Sequence, residues 1–359
     1  MPSVDGHPLT GAQRLDTSIV VPAYNVEGFL GEFFACVAAQ SYRGFRIVFV
    51  DDCSTDGTRS VASRYGESLG GRFVLLDTGA HVGLSEARNR GIEWVEAHPT
   101  DYLSFLDADD LFDAEYMEDL HSRAVATKAD LVVAGVVRTD GYSGHVYAVE
   151  MLHCPDEVFD RACECDELAF ANPCSYAKLY RLSAVEGVRF RPILRSEDTC
   201  YLFEALARIR GVAFTNHAHY RYRTRDQSLT ARMGQAQHLS MHEHFAQMLP
   251  LFEQEPHVQY RDQFETQVFI RSSIGGVIRR VRKGEARASA LARKERDWLD
   301  AAMPRWRSNS FLTFGGRKSP SVKQFAVKAC AALYKVGLFP LFVGAYAAFS
   351  RVFGREVRL

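Results

Sequence analysis

Asp107-Ala108-Asp109-Asp110 places three carboxylates in four residues, directly after the apolar run Tyr102-Leu103-Ser104-Phe105-Leu106. Such a run reads as a buried strand, with the acids at its carboxyl end. In open α/β sheets the carboxyl ends of strands are where ligands bind. Carboxylates held there suit a hard divalent cation, which uses one or two of them together with a substrate's phosphates. That chemistry points to a nucleotide diphosphate. The competing reading is a helix N-cap, with Asp109 or Asp110 capping a helix that begins near Asp113.

The surrounding elements must hold those acids in place. Ser18-Ile19-Val20-Val21-Pro22-Ala23-Tyr24-Asn25 predicts a strand ending in a Pro/Asn turn, followed by a helix over residues 29–40. Arg46-Ile47-Val48-Phe49-Val50-Asp51-Asp52 predicts a second strand ending in acids. It runs into Cys53-Ser54-Thr55-Asp56-Gly57-Thr58, a turn carrying caps for the next helix. Gly83-Leu84-Ser85-Glu86-Ala87-Arg88-Asn89-Arg90-Gly91 opens a further helix, and Ala129 to Gly135 reads as one more strand. Strand and helix alternate, which argues for a parallel, doubly wound sheet. The polar clusters then gather on one edge of it.

These segments resemble glycosyltransferase family 2, the inverting sugar-nucleotide transferases of the GT-A fold. The likeness rests on Val21 to Asn25, Val50 to Thr58, Gly83 to Gly91, Phe105 to Asp110 and the later Ser196-Glu197-Asp198-Thr199, and covers roughly residues 17–230. It implies an α/β, GT-A doubly wound (Rossmann-like), mainly parallel sheet flanked by helices, with a helical C-terminal region. The expected organisation is a tail at 1–16, the GT-A domain at 17–230 and a basic helical region at 231–359.

The resemblance also implies roles. Asp109 would bind Mg²⁺ or Mn²⁺, and Asp107 would contact the ribose or the metal's shell. Asp52 would hydrogen-bond a uracil ring, with Pro22 and Tyr24 holding the base, Tyr24 by stacking; Asp51 would instead support the turn. Arg88 would contact a diphosphate or the acid cluster, the alternative being a surface arginine on a helix; Asn89 and Asn25 are supporting residues. Gly83 and Gly91 serve the backbone turn and helix packing. Asp198 would act as the base that activates an acceptor hydroxyl, with Glu197 supporting it, although a helix N-terminus favours a carboxylate for its dipole alone.

Tyr220-Arg221-Tyr222-Arg223-Thr224-Arg225 reads either as arginines closing over the diphosphate, Arg223 among them, or as an edge strand with aromatic and basic faces. One departure from the family is Tyr176, two residues before Lys178, where many relatives carry tryptophan just before the lysine.

Composition fits a soluble enzyme: 359 residues, 47% hydrophobic and 24% charged, are enough for a sizeable core and two domains. Residues 1–16 are polar and irregular, unlike a secretory signal. The eight cysteines match no metal pattern and read as reduced thiols of a cytoplasmic protein. The net charge of −1 conceals an asymmetry, about −15 over residues 1–270 and about +14 over 271–359.

The chain's end is apolar from Val336 to Phe349, interrupted by Pro340 and flanked by Lys323, Lys328, Lys335, Arg351 and Arg355. It is shorter than a membrane-spanning helix. Basic flanks around an apolar stretch suit the surface of an anionic membrane, at the inner face of the cell membrane. The alternatives are a helix pair packed on the catalytic domain or on a second subunit, giving a homo-oligomer. No nucleic-acid-binding motif accompanies the charge, so no nucleic-acid partner is expected.

The expected activity is transfer of a hexosyl or N-acetylhexosaminyl group from a nucleotide-diphosphate donor, foremost a UDP-sugar, to a hydroxyl of a surface-glycan or lipid-linked saccharide. A transferase acting on polyprenyl phosphate and a non-catalytic scaffold in a membrane assembly are the other readings. Intact Asp52, Asp107, Asp109 and Asp198 argue against the scaffold.

Overall fold

The protein is described by a computed structural model covering residues 14–152, 154–193, 195–224, 234–314 and 321–353. The expected tail at 1–16 therefore lies almost wholly outside the described residues. Eleven strands form among them: β1 (Thr17–Ala23), β2 (Phe45–Asp51), β3 (Phe73–Asp77), β4 (Tyr102–Phe105), β5 (Leu111–Phe112), β6 (Leu131–Val133), β7 (Val136–Asp140), β8 (Val146–Glu150), β9 (Lys178–Arg181), β10 (Val212–Phe214) and β11 (Tyr220–Thr224).

Seven of them make one sheet in the order β10-β6-β9-β4-β1-β2-β3. β1 pairs in parallel with β2 and with β4, and β2 pairs in parallel with β3. β9 runs antiparallel to both β4 and β6, so the sheet is mainly parallel. β1 is buried along its whole length, as a continuous apolar strand covered on both faces must be. Pro22 is tolerated inside it because the pairing with β4 stops at Val20 opposite Phe105.

The chain winds outward from β1 through β2 to β3, then returns to place β4 on β1's other side. The carboxyl ends of β1 and β4 thus form a topological switch point, where a crevice opens for a ligand. Helix Glu27–Ala39 buries Leu30, Phe33, Phe34 and Val37, an apolar stripe of helical period. Helix Leu84–Ala97 packs on β1 so closely that a Cβ at Gly91 would lie 2.3 Å from Val20 Cγ1. Gly83, just before that helix, has φ +90°, a conformation that favours glycine.

A second sheet has the order β5-β11-β7-β8. It includes the β7–β8 hairpin. Its turn is set by Asp140, whose Oδ1 accepts from the amides of Tyr142 and Ser143, and by Gly144 at φ +68°. β11 is not an edge strand: β5 and β7 lie on its two sides. Residues 225–233 are outside the described residues.

The chain divides into two compact units. One comprises residues up to Val158, Ser175–Arg189 and Ala213–Arg223; the other comprises Phe159–Cys174, Phe190–Val212 and Thr224 onward. In the second unit, side-chain amides of Gln263 and Gln267 donate to the carbonyls of Cys163, Ala169 and Ala171, and Lys323 Nζ donates to that of Phe170. The helices thereby satisfy a segment that has few ladder bonds of its own.

Those helices are Gln235–Met248, the continuous run over residues 261–282, Ala288–Ala302, Val322–Lys335 and Phe339–Phe353. Pro340 does not interrupt the last one; it occupies the first turn, where its missing N–H costs nothing. Phe339, Val343 and Ala347 on that helix are buried, while Leu341 and Phe342 are exposed. Among the described residues no helix is long and apolar enough to cross a membrane. All eight cysteines are free thiols.

Candidate active site

The carboxyl ends of β1 and β2 build an aromatic shelf beside a buried acid. Tyr24, half-exposed just past β1, stacks on His81 with ring centroids 4.0 Å apart. Asp52, just past β2, is buried. Its Oδ1 accepts from the Val82 amide at 2.8 Å and from Thr78 Oγ1 at 3.1 Å, and its Oδ2 accepts from the Gly83 amide at 2.9 Å. His81 Nδ1 lies 2.9 Å from Asp52 Oδ2. One carboxylate therefore pins the 78–83 loop and with it the ring that meets Tyr24. Asp51 supports the neighbouring turn, accepting from the Ser54 amide at 3.2 Å.

Asn25, at φ +51°, spends its side chain on the same edge. Its Oδ1 accepts from the Thr55 amide at 2.8 Å and its own amide donates to Ser54 Oγ at 3.0 Å. It joins the loops that follow β1 and β2. Asn89 is buried on helix Leu84–Ala97.

The acid cluster follows β4. Arg88, also buried on that helix, donates from Nη2 to Asp107 Oδ1 at 3.0 Å. The alternative of a surface arginine is excluded, and the guanidinium serves the acid cluster. Asp107 and Asp109 are both half-buried.

Asp110 is fully buried and caps no helix: β5 follows it, and the next helix begins at Tyr116. Its Oδ2 accepts from the Tyr220 hydroxyl at 2.7 Å and its Oδ1 from the Arg223 amide at 2.8 Å. Burial, then the nearby negative charge of Asp107, pushes its carboxyl up to about 8. Arg223 adds Nε donating to the Asp109 carbonyl at 2.6 Å, an ion pair with Glu32, and a guanidinium 5.2 Å above the Phe29 ring. β11 thus fixes the backbone of the acid loop from the far side.

Glu197 and Asp198 belong to the other unit. They lie in the first turn of helix Glu197–Leu206, and both are half-buried. Ser196, at φ +67°, starts that turn, and its hydroxyl lies 3.3 Å from Met241 Sδ. Tyr176 stacks on Tyr220 at 4.4 Å.

The donor set at β4 suits a hard cation. Asp109 offers a carboxylate at the sheet's carboxyl edge, with Asp107 two residues before it. Two tighter clusters of ligating side chains also occur among the described residues, Asp119 with His217 and His219, and His238 with His242 and Glu295. In the second, one carboxylate is already saturated by both imidazoles and by Ser272 and Ser273.

Sequence reasoning missed His81 and Tyr220 as site residues. His81 sits in a turn-rich run, Thr78 to Gly83, that carries no chemical signature of its own. Tyr220 is more than a hundred residues from the acid it binds, so only the pairing of β11 with β5 reveals the contact.

The profile of Glycosyl transferase family 2 matches residues 18–185. Glycosyltransferase GlyA of Streptococcus pneumoniae serotype 4 is 28% identical over 221 residues, 59% of this chain and 31% of that protein. The putative teichuronic acid biosynthesis glycosyltransferase TuaG of Bacillus subtilis is 32% identical over 101 residues, 28% of this chain and 38% of its own. The chain thus spans about a third of the length of each of these two relatives. The crystal structure of S. aureus TarS 1-349 in complex with UDP-GlcNAc superposes with a TM-score of 0.66 at 16% identity, covering 96% of this chain and 93% of that one. At that identity the likeness is one of fold. Over residues 18–185, just under half of its length, this chain is thus similar to glycosyltransferase family 2.

Proposed function

We propose that the protein transfers a sugar, with inversion, from a nucleotide-diphosphate donor, foremost a UDP-sugar, to a hydroxyl of a surface-glycan or lipid-linked saccharide. The observation that carries this reading is the spacing of two features on one sheet edge. The Tyr24–His81–Asp52 shelf follows β1 and β2, and Asp107 and Asp109 follow β4. β2 and β4 flank β1, two strand spacings or about 10 Å apart. A nucleoside diphosphate spans such a distance, base on the shelf and phosphates at the acids. TarS was crystallised with UDP-GlcNAc, and TuaG is named for teichuronic acid biosynthesis; both agree with this donor and acceptor class.

Asp109, with Asp107, would hold Mg²⁺ or Mn²⁺, which when bound supplies positive charge to the departing nucleotide diphosphate. Arg88 orients Asp107 through its hydrogen bond. Tyr220 and Arg223 hold the loop between them. Asp198 takes the proton from the acceptor hydroxyl as that oxygen attacks the anomeric carbon, and Glu197 supports the sugar. The C–O bond to the leaving phosphate breaks in the same displacement, so no glycosyl-enzyme forms.

The acceptor's membrane setting is supported by the exposed Leu338, Leu341 and Phe342. An exposed apolar face of this kind can enter the headgroup region of a bilayer. Leu341→Glu should weaken co-sedimentation with phosphatidylglycerol vesicles; unchanged binding would reject that contact.

The transfer reading is tested by incubating the protein with a panel of UDP-sugars and saccharide acceptors and determining the anomeric configuration of the product by NMR. Inversion is expected. Retention, or no transfer from any nucleotide sugar, would contradict it.

A further inference from the structure

One set of metal-ligating side chains does not include the acids after β4. Asp119, on helix Tyr116–Thr127, meets His217 and His219, which lie between β10 and β11. All three belong to the same compact unit. Each offers one ligand atom, and the three atoms lie within 4.8 Å of one another. His217 Nδ1 is 2.9 Å from Asp119 Oδ1, and the centroids of the two imidazole rings are 5.5 Å apart. Tetrahedral zinc, bonded to nitrogen and oxygen at about 2.0–2.1 Å, spaces its ligand atoms by about 3.3 Å. No pair therefore has to close by more than about 1.5 Å to share one ion.

The backbone holds both histidines in place. The His217 carbonyl accepts from the Gly135 amide at 2.6 Å, and the His219 carbonyl accepts from the Asp113 amide at 2.9 Å. A Cβ at Gly135 would lie 2.8 Å from the His217 carbonyl oxygen, so glycine is what lets the histidine segment approach.

The carboxylates around the pair call for a cation. Asp119 Oδ2 is covered and has no hydrogen-bond partner among the described residues. A covered carboxylate oxygen left in that state costs free energy, and a bound ion would satisfy it. Asp113 Oδ2 stands 3.6 Å from His219 Nδ1, while Arg221 Nε donates to Asp113 Oδ1 at 2.8 Å. A carboxylate fixed beside a ligating imidazole orients the ring and raises its basicity. Two imidazoles and a carboxylate suit zinc, whereas Mg²⁺ takes oxygen ligands. Three protein ligands leave a fourth position for water.

We infer that Asp119, His217 and His219 bind one zinc ion, at a site separate from the one proposed for Mg²⁺ or Mn²⁺ at Asp109. The site stands whether or not the protein transfers a sugar. Its ion ties helix Tyr116–Thr127 to the segment that enters β11. Tyr220, the residue after His219, donates to Asp110, and Arg223 donates to the Asp109 carbonyl. Zinc thus braces the strand that fixes the acid loop and takes no part in transfer.

The test is a calorimetric titration of Zn²⁺ alone into the untagged full chain. Wild type should bind one ion. His217→Gln/His219→Gln should bind it more than about a hundredfold more weakly, since losing even an outer partner of a metal site costs about 10–100-fold. Asp119→Asn, which keeps the side chain's shape, should bind zinc at least about tenfold more weakly. The His217 side chain is 61% exposed, so the double variant should fold and melt close to wild type in metal-free buffer. Added Zn²⁺ should raise the melting temperature of wild type and leave that of the double variant where it was. Hydrogen exchange over residues 215–223 should slow with Zn²⁺ in wild type alone. Excess Mg²⁺ should not displace the ion, and Asp109→Ala should bind zinc as wild type does.

Zinc bound equally by wild type and the double variant would overturn the site and place the ion elsewhere, as would zinc lost from Asp109→Ala. Wild type that binds no zinc would overturn it too. If histidine-dependent zinc binding appears but UDP does not bind, the donor reading fails while this site stands. If UDP binds and the histidines make no difference to zinc, this inference alone fails.

Discussion

Tyr220 donates its hydroxyl to Asp110 at 2.7 Å, across 110 residues of sequence, and thereby locks β11 to the acid loop after β4. Asp110 is buried and accepts one further bond, from the Arg223 amide. Tyr220→Phe would leave a buried carboxyl short of a donor, a loss of about 1–3 kcal/mol. Urea unfolding should show a lower midpoint at unchanged slope. An unshifted midpoint would show that the bond contributes nothing to the folded state.

Asp52 holds the 78–83 loop through two backbone amides. Asparagine has the same shape, but its amide nitrogen cannot accept from either N–H. Asp52→Asn should therefore weaken UDP binding about tenfold or more, the effect of losing roughly one charge-assisted hydrogen bond. His81→Ala removes the stacking partner of Tyr24 and should weaken UDP binding too. Calorimetry on both variants checks this; wild-type affinity in each would reject the shelf as a base site.

Much of this was legible in the residues. Ile19 to Val21 and Ile47 to Val50 are uninterrupted apolar runs, and only buried parallel strands use such runs at that length. The acids after β2 and β4 mark strand ends for the same reason. The β7–β8 hairpin was not legible, because β8 alternates weakly and its turn depends on one Asp side chain and one glycine. Asp110 read as a cap because nothing local distinguishes a capping acid from one that reaches across to another sheet. Arg88 was ambiguous until helix Leu84–Ala97 was seen to bury it.

Glu295 is fully buried between His238 and His242. Burial would raise its carboxyl, but the hydrogen bonds and charges of the two histidines win and hold it well below the usual carboxylate range. A carboxyl depressed in the folded state stabilises the protein above its unfolded value, near about 4.3. That contribution fades as pH falls below it, toward the folded value. Glu295→Gln should cost about 3–5 kcal/mol at pH 7. The gap to wild type should narrow as denaturation is repeated from pH 5 down to pH 3. A gap independent of pH would contradict the charged role.

Asp198 sits in the first turn of helix Glu197–Leu206. If it is the base, Asp198→Asn should lower the transfer rate at least a hundredfold. UDP affinity should stay at the wild-type value. Equal loss of both would show that the residue supports the structure and does not take the proton.

The central claim is that the acids after β4 and the shelf after β2 hold one nucleotide. Calorimetric titration of UDP, with and without Mn²⁺, against wild type and Asp109→Ala tests it most directly. Binding that strengthens with Mn²⁺ in wild type, and loses that dependence in Asp109→Ala, is the predicted result. UDP binding that is indifferent both to the metal and to the substitution would contradict the account.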